Sequence, residues 1–357
     1  MHERRPLVSV VVPCRNEAVS IQRTMESILA SDYPRIEVIV ADGASQDGTR
    51  ELLAGIASRD SRLRVLDNPD KITPAGLNLA IQAAQGELIL RVDAHSVIAG
   101  DYISKLVDFL ERTPDAWGAG GQMRTEPETQ GWFSQAIPLV LSHKFGVGNS
   151  QFRTGEAAGD PRRADTVFNC CWRREVFERV GLFHEKLARS QDIEMSTRIG
   201  SAGGALWWVP TAHTTYFARI GFGSYLKHNW SNGVWSVLPA AYLGHLPVRW
   251  RHLVPLAFVS AVNLSCVLAA AVPALGWLPL LSLIPYLGVN LAVSWQGALA
   301  RRSARLAVLL PPAFAGLHIG YGAGSLWGLL KLAAHVLSFH SYDTRTNTRR
   351  NAAHPFL

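Results

Sequence analysis

Charge is what this sequence has little of. Asp, Glu, Lys and Arg make up 18% of its 357 residues, against 48% apolar residues. The shortage is local: none of the four stands between His252 and Ala300, or between Leu306 and Leu330. Soluble helices keep a polar face, so runs of this length argue against an all-soluble helical core. They suit spans of about 20 residues across a hydrocarbon layer. Cysteine is scarce as well. Cys14, Cys170, Cys171 and Cys266 have no metal-ligand spacing, which excludes a disulfide scaffold and fits a reducing compartment. No GxGxxG follows the first apolar run and no GxxxxGK[ST] occurs anywhere, which disfavours dehydrogenases and P-loop enzymes. The run from Leu7 to Val12 is too short for a signal-peptide core, so the first region is expected not to be exported. Basic residues exceed acidic ones, 35 to 28, for a net charge of +7. No basic run interleaves with aromatics, so nucleic acid is not the expected partner. An anionic membrane face is.

Residues 253–275 and 279–299 are predicted to form an apolar helical hairpin broken near Pro273-Ala274-Leu275-Gly276, with 306–330 as a third segment. Arg249 and Arg251 flank the first span, and Arg301, Arg302 and Arg305 follow the second. The positive-inside rule then makes both hairpin ends and the N-terminal region cytoplasmic, as in a multi-pass protein of the inner (plasma) membrane. A third full crossing would put Arg345, Arg349 and Arg350 outside, so whether segment three crosses, lies in the interface or re-enters is left open. The division expected from this pattern is a catalytic domain over 1–235 and an interfacial and transmembrane region over 236–357.

The first 230 residues alternate in period. Val8-Ser9-Val10-Val11-Val12 is β-branched and closed by Pro13, after which Ile21, Met25, Ile28 and Leu29 recur at helical spacing. Ile36 to Ala41 and Leu63 to Leu66 repeat the strand pattern, the first followed by Leu52, Leu53 and Ile56 on a helix, the second by a helix that Thr73 can cap with Pro74 at its first position. Glu87 to Val92 is a fourth strand, ending in Asp93-Ala94-His95. Four β-α repeats with short loops predict an α/β fold with an open, mostly parallel sheet whose ligands bind beyond the carboxyl ends of its strands. Those ends carry Pro13-Cys14-Arg15-Asn16-Glu17, Asp42 to Thr49, Asn68-Pro69-Asp70 and Asp93-Ala94-His95. A carboxylate-rich ligand face without a glycine cradle suggests that a divalent cation carries phosphate charge. Farther along, 146–165 reads as a mobile loop, Thr166 to Trp172 as buried and extended, and Ser190-Gln191-Asp192-Ile193-Glu194 as a helix start with acids in its first turn.

In these motifs the chain resembles family 2 glycosyltransferases of the GT-A fold, and within them the bacterial succinoglycan-type (ExoA-like) exopolysaccharide glucosyltransferases. The matching stretches are Val10 to Glu17, Val40 to Thr49, Leu77-Asn78, Arg91 to His95 and Gln191-Asp192, with continued similarity through Phe177 to Gly181 and Arg198 to Arg219. The resemblance implies a GT-A sheet followed by membrane helices and a nucleotide-sugar site. Pro13, Arg15 and Glu17 match the first nucleotide-binding strand end, and Asp42 matches the acid that recognises the base. Asp93 and His95 stand where the family has its DxD motif, His95 replacing the second Asp. Asp192 matches the catalytic base, while Gln191 replaces the Glu usual beside it.

The expected chemistry is metal-dependent, inverting transfer of a hexose such as glucose from a UDP-sugar to a polyprenyl-diphosphate-linked saccharide. Asp93 and His95 would hold Mn²⁺ or Mg²⁺, the imidazole favouring Mn²⁺. Asp192 would take the acceptor's proton. Read without the family, Asp42 and Asp47 are turn formers, Asp192 a helix-start acid and Asn78 a locally bonded helix residue. Trp207 and Trp208 suit either an acceptor frame or a membrane interface, and Trp230 and Trp235 suit the interface. Polyprenyl-phosphate sugar transfer and processive synthesis are alternatives, although no QxxRW-like motif follows the base. A non-catalytic membrane scaffold is the rival from another class, disfavoured by the presence of both Asp93 and Asp192.

Overall fold

A computed structural model describes residues 5–156, 158–218 and 221–342. Contacts divide the chain into two compact units. One contains the described residues up to Glu126 together with Asn149–Ala218, and the other contains Pro127–Gly148 and the described residues from 221 onward.

The first unit is built on a nine-stranded sheet. Its strands are β1 (Val8–Cys14), β2 (Ile36–Asp42), β3 (Leu63–Asp67), β4 (Leu88–Arg91), β5 (Ser96–Ile98), β6 (Ala116–Pro127), β7 (Arg162–Ala164), β8 (Phe168–Arg173) and β9 (Ala205–Ala218). The order is β3-β2-β1-β4-β8-β6-β9-β5, with β7 also paired to β9. Strands β1 to β4 are mutually parallel, whereas β8 runs antiparallel to both β4 and β6. The parallel half reads as continuous apolar runs because both faces are covered. Val8, Val10 and Val12 pack on one side with Ile21, Met25 and Leu53. Val11, Ile39 and Ile89 pack on the other with Leu77, Ile81 and Trp172.

The β-α alternation expected from the sequence is present, with three helices, Ile21–Leu29, Thr49–Ala57 and Thr73–Ala83, between the parallel strands. Thr73 does not cap the third. Ile72 takes that position in extended conformation, and no side chain bonds the helix start. The stretch expected as a mobile loop holds the short helix Gln151–Thr154 and strand β7, which pairs with β9 from Arg162↔Trp208 to Ala164↔Leu206. Edge pairing and ring contacts of this kind have no sequence period, so glycine and charge content alone pointed to a loop.

In the second unit, the short helices Ala136–Leu141 and Lys144–Val147 join Phe222–Val237, Ala240–Leu243, Trp250–Ala271, Leu278–Ala300 and Ala304–Tyr342. Three of its helical segments, 250–271, 273–300 and 304–334, are long and apolar enough to cross a membrane. The third of these lies on the continuous helix Ala304–Tyr342, while Arg345, Arg349 and Arg350 fall outside the described residues. Leu264, Val267, Leu281, Ile284 and Leu299 are exposed on these helices, as side chains meeting lipid would be. Polar groups turn inward. Asn290 donates to the Pro311 carbonyl at 3.1 Å, and Ser236 and Ser325 meet at 3.0 Å. A Cβ added to Gly233 would lie 1.9 Å from the Tyr321 carbonyl oxygen, so only glycine lets helix Phe222–Val237 approach Ala304–Tyr342 this closely. Position 235, the boundary read from hydropathy, lies inside that packed helix. Trp235 is buried there, whereas Trp230 stays 41% exposed. Trp207 and Trp208 belong to β9 of the first unit, Trp207 against Phe109 at 5.5 Å between rings and Trp208 buried.

Candidate active site

Parallel register brings the first two strand ends together, since Cys14 pairs with Asp42. The two loops that follow are then tied to one another. Asn16, at φ 53°, donates its N–H to Ser45 Oγ at 2.8 Å and accepts from the Gln46 N–H at 2.9 Å. The Glu17 N–H donates to Thr49 Oγ1 at 2.8 Å, and the Ala18 N–H to Asp47 Oδ2 at 3.0 Å. The Thr49 hydroxyl bond holds the Asp47 carboxyl below the usual range, helped by the Ala18 N–H. Asp47 is therefore the staple of this double loop, a fuller role than turn former.

Of the residues matched to nucleotide binding, Pro13 is half-buried in β1 and Arg15 is exposed, donating to the Lys71 carbonyl at 3.3 Å. Asp42 is fully buried. Its oxygens accept from Ser45 Oγ at 2.6 Å and from Arg50 at 3.5 Å, so a base could bond it directly only by displacing its own loop. Asn78 has no side-chain group left for a nucleotide: its amide donates to the Phe183 carbonyl and to Glu185, and accepts from the Phe183 N–H, each at 2.9 Å.

The centre of the site is a residue to which the sequence reading gave no role of its own. Arg91, 7% exposed at the end of β4, donates Nε to Asp93 Oδ1 at 2.9 Å and Nη1 to Asp192 Oδ1. One guanidinium thus holds together two acids 99 positions apart in sequence. Burial opposes the charge on Arg91, but Asp192 and Asp93 outweigh it and push its pKa above the ordinary value. Asp192 starts the helix Gln191–Ser201, behind Ser190 at φ 63°. Its carboxyl is pushed up mainly by loss of hydration and further by Asp93, with Arg91 opposing. Its side chain is nevertheless 49% exposed. The carboxylate is therefore crowded by protein yet still in contact with solvent. Beside it, Gln191 is buried with Oε1 unbonded. The signal for Arg91 was present as a lone cation closing the apolar run Leu88-Ile89-Leu90, a position where charge survives only if paired.

Asp93 is further fixed through its N–H, which donates to Asn169 Oδ1 at 3.3 Å. Asn169 in turn donates Nδ2 to Thr214 Oγ1 at 3.0 Å. His95 meets Glu17 through Nδ1 at 3.1 Å and packs edge-on to Tyr216 at 5.2 Å. Glu17 thus touches a metal-candidate side chain, a contact that strand-end reasoning did not foresee. No group of three or more His, Cys, Asp or Glu that could hold a metal occurs among the described residues. A carboxylate and an imidazole are two ligands of about six in an octahedral shell. A carboxylate on one ring nitrogen is the usual way to orient a metal-binding histidine, which would ligate through Nε2. The donor set fits a divalent ion whose remaining ligands come from substrate and water. A cavity of about 500 Å³ elsewhere, lined by Pro6, Glu87, Arg173 and Glu178, lies at the amino ends of the parallel strands and shares none of these side chains.

Residues 9–181 match the family model described as "Glycosyl transferase family 2". The chain is 32% identical over 282 residues to "Succinoglycan biosynthesis protein ExoA" of Rhizobium meliloti, covering 71% of this chain and 83% of that protein. It is 26% identical over 231 residues to "Glycosyltransferase AglE" of Haloferax volcanii, covering 64% of this chain and 72% of the relative. Among solved structures, a mannosyltransferase from Pyrobaculum calidifontis in complex with GDP-Man and Mn²⁺ superposes with a TM-score of 0.58 at 22% identity, over 91% of this chain and 88% of that one. The sheet with its flanking helices is a GT-A fold, and the chain belongs to glycosyltransferase family 2, as an ExoA-like glycosyltransferase.

Proposed function

We propose that this enzyme is membrane-attached and transfers a hexose, such as glucose, from a UDP-sugar to a polyprenyl-diphosphate-linked saccharide at the cytoplasmic face of the inner membrane, with inversion, in exopolysaccharide or other surface glycan synthesis. The single observation that supports the reading is that Arg91 bonds both Asp93 and Asp192, the acids proposed here to serve the donor and the acceptor. The name of the ExoA relative supports a surface polysaccharide product.

In this mechanism the double loop around Pro13, Arg15, Glu17 and Asp42 seats the nucleoside. Asp93 and His95 would hold a divalent ion, Mn²⁺ or Mg²⁺, which would supply positive charge to a departing diphosphate. Mn²⁺ in the mannosyltransferase of like fold makes that ion the first to test. Asp192 Oδ2 accepts the proton of the acceptor hydroxyl as its oxygen bonds the anomeric carbon and the bond to the diphosphate breaks. One displacement inverts the centre, and no second carboxylate nucleophile is needed. Arg91, bound to Asp192 Oδ1, keeps the base ionised and aimed, while partial loss of hydration and the Asp93 charge keep it basic.

The test is calorimetric titration of UDP into the detergent-purified protein with and without Mn²⁺, beside Asp93→Ala and Asp192→Asn, with turnover measured on UDP-glucose. Metal-dependent UDP binding that is lost in Asp93→Ala, and turnover abolished in Asp192→Asn with UDP binding kept, are the expected results. Unchanged turnover in Asp192→Asn would refute its assignment as base. Failure of UDP to bind the wild type would refute the donor.

A further inference from the structure

Arg153 has no part in the chemistry above, yet it is the side chain whose surroundings most need a ligand. It lies on the helix Gln151–Thr154 with Nη1 buried and without a hydrogen-bond partner. Among the described residues no carboxylate pairs with it, and the ionisable neighbour acting on it is the Tyr216 phenol. Arg153 as a whole is partly exposed, but a guanidinium nitrogen closed off from water without an acceptor is unfavourable, and such a group persists where an anion arrives later.

The position is fixed by rings. Arg153 sits 5.5 Å from the ring of Phe152, which stacks on Phe168 at 6.1 Å, and Phe168 meets Tyr216 edge-on at 6.0 Å. Tyr216 is the residue that packs on His95 at 5.2 Å, and Asn169, next to Phe168, holds the Asp93 N–H. Gly155 closes the segment, since a Cβ there would lie 2.4 Å from the Trp208 ring. Tyr216 of β9 thus acts on Arg153 and packs against the candidate metal ligand His95.

We infer that Arg153 binds a diphosphate, its planar donors contacting oxygens of the group that Asp93 and His95 serve from the other side. Guanidinium geometry suits phosphate oxygens in pairs. The inference rests on the diphosphate site proposed above. The diphosphate belongs either to the sugar donor or to the lipid-linked acceptor, and the chemistry at Arg153 is the same for both.

The test uses the full chain in detergent with Mg²⁺. Inorganic pyrophosphate, UDP and farnesyl diphosphate are titrated into wild type, Arg153→Met and Arg153→Lys, and thermal unfolding is recorded without ligand. Arg153→Met should weaken pyrophosphate binding roughly tenfold or more, with Arg153→Lys in between. Its unfolding temperature should not fall, because the charge removed has no partner. A loss shared by pyrophosphate and UDP assigns the donor diphosphate, and one shared by pyrophosphate and farnesyl diphosphate assigns the acceptor's. Pyrophosphate binding that depends on Arg153 without any UDP binding would sink the UDP reading and keep this one. UDP binding indifferent to Arg153, with pyrophosphate and farnesyl diphosphate equally indifferent, would do the reverse. Wild type that binds none of the three, or weaker binding only alongside a lower unfolding temperature, would overturn the inference.

Discussion

Replacing Arg91 with Met removes the cation between two carboxylates and keeps the apolar stem that β4 buries. Two bonds are lost, and they are unequal. Asp93 is 18% exposed, so its charged hydrogen bond is worth about 1.5–3 kcal/mol. Asp192 is 49% exposed, and solvent screening limits that pair to about 1 kcal/mol or less. Arg91→Met should therefore destabilise the first unit by about 2–4 kcal/mol. The effect on catalysis should be larger than the energy suggests, because Asp192 loses the contact that aims it. A misplacement of about 1 Å costs roughly 100-fold in turnover. The pH profile should also move. With Arg91 gone, burial and the Asp93 charge act on Asp192 unopposed, so the acidic limb of kcat shifts to higher pH. UDP release from UDP-glucose across a pH series, with thermal unfolding of the same preparations, reads all three effects. In the double variant with Asp192→Asn, Arg91→Met should cost little further turnover, since both act through one base. Turnover within about twofold of wild type and an unmoved acidic limb would refute the coupling of Arg91 to the base.

Three other outcomes follow from the same structure. As the proposed base, Asp192 would work ionised, and its pKa is raised, mainly by loss of hydration, so kcat/KM should be full at neutral pH and fall through a limb lying above the ordinary Asp value of about 3.9. The same sign makes the contribution of this group to stability rise as pH drops through that limb, which urea titrations of wild type and Asp192→Asn can separate. Asn78→Ala should cost about 1–3 kcal/mol by orphaning the Phe183 N–H and carbonyl, while UDP affinity by calorimetry stays at the wild-type value. Gly233→Ala puts a methyl against the Tyr321 carbonyl and should lower the unfolding temperature in detergent, with UDP affinity again unchanged.

Periodicity and punctuation were enough to read the parallel half of the sheet. Val8 to Val12, Ile36 to Ala41 and Leu63 to Leu66 are mostly apolar runs that end in polar turns, and each became a strand ending within two residues of the expected place. The apolar runs after His252 likewise fixed three long helices, because lipid-facing helices need no polar face. The order and spacing of the motifs Val10 to Glu17, Val40 to Thr49, Leu77-Asn78, Arg91 to His95 and Gln191-Asp192 carried the family resemblance. Tertiary structure alone decided what those acids touch. Arg91 reaches Asp192 only because β8 enters the sheet antiparallel beside β4 and the chain then returns through the helix at Gln191. The assignment of Pro127–Gly148 to the second unit, and the unpartnered charge of Arg153, are likewise contacts between distant segments. Local pattern records which face of an element is apolar, whereas pairings across many residues follow from packing and leave no period in the sequence.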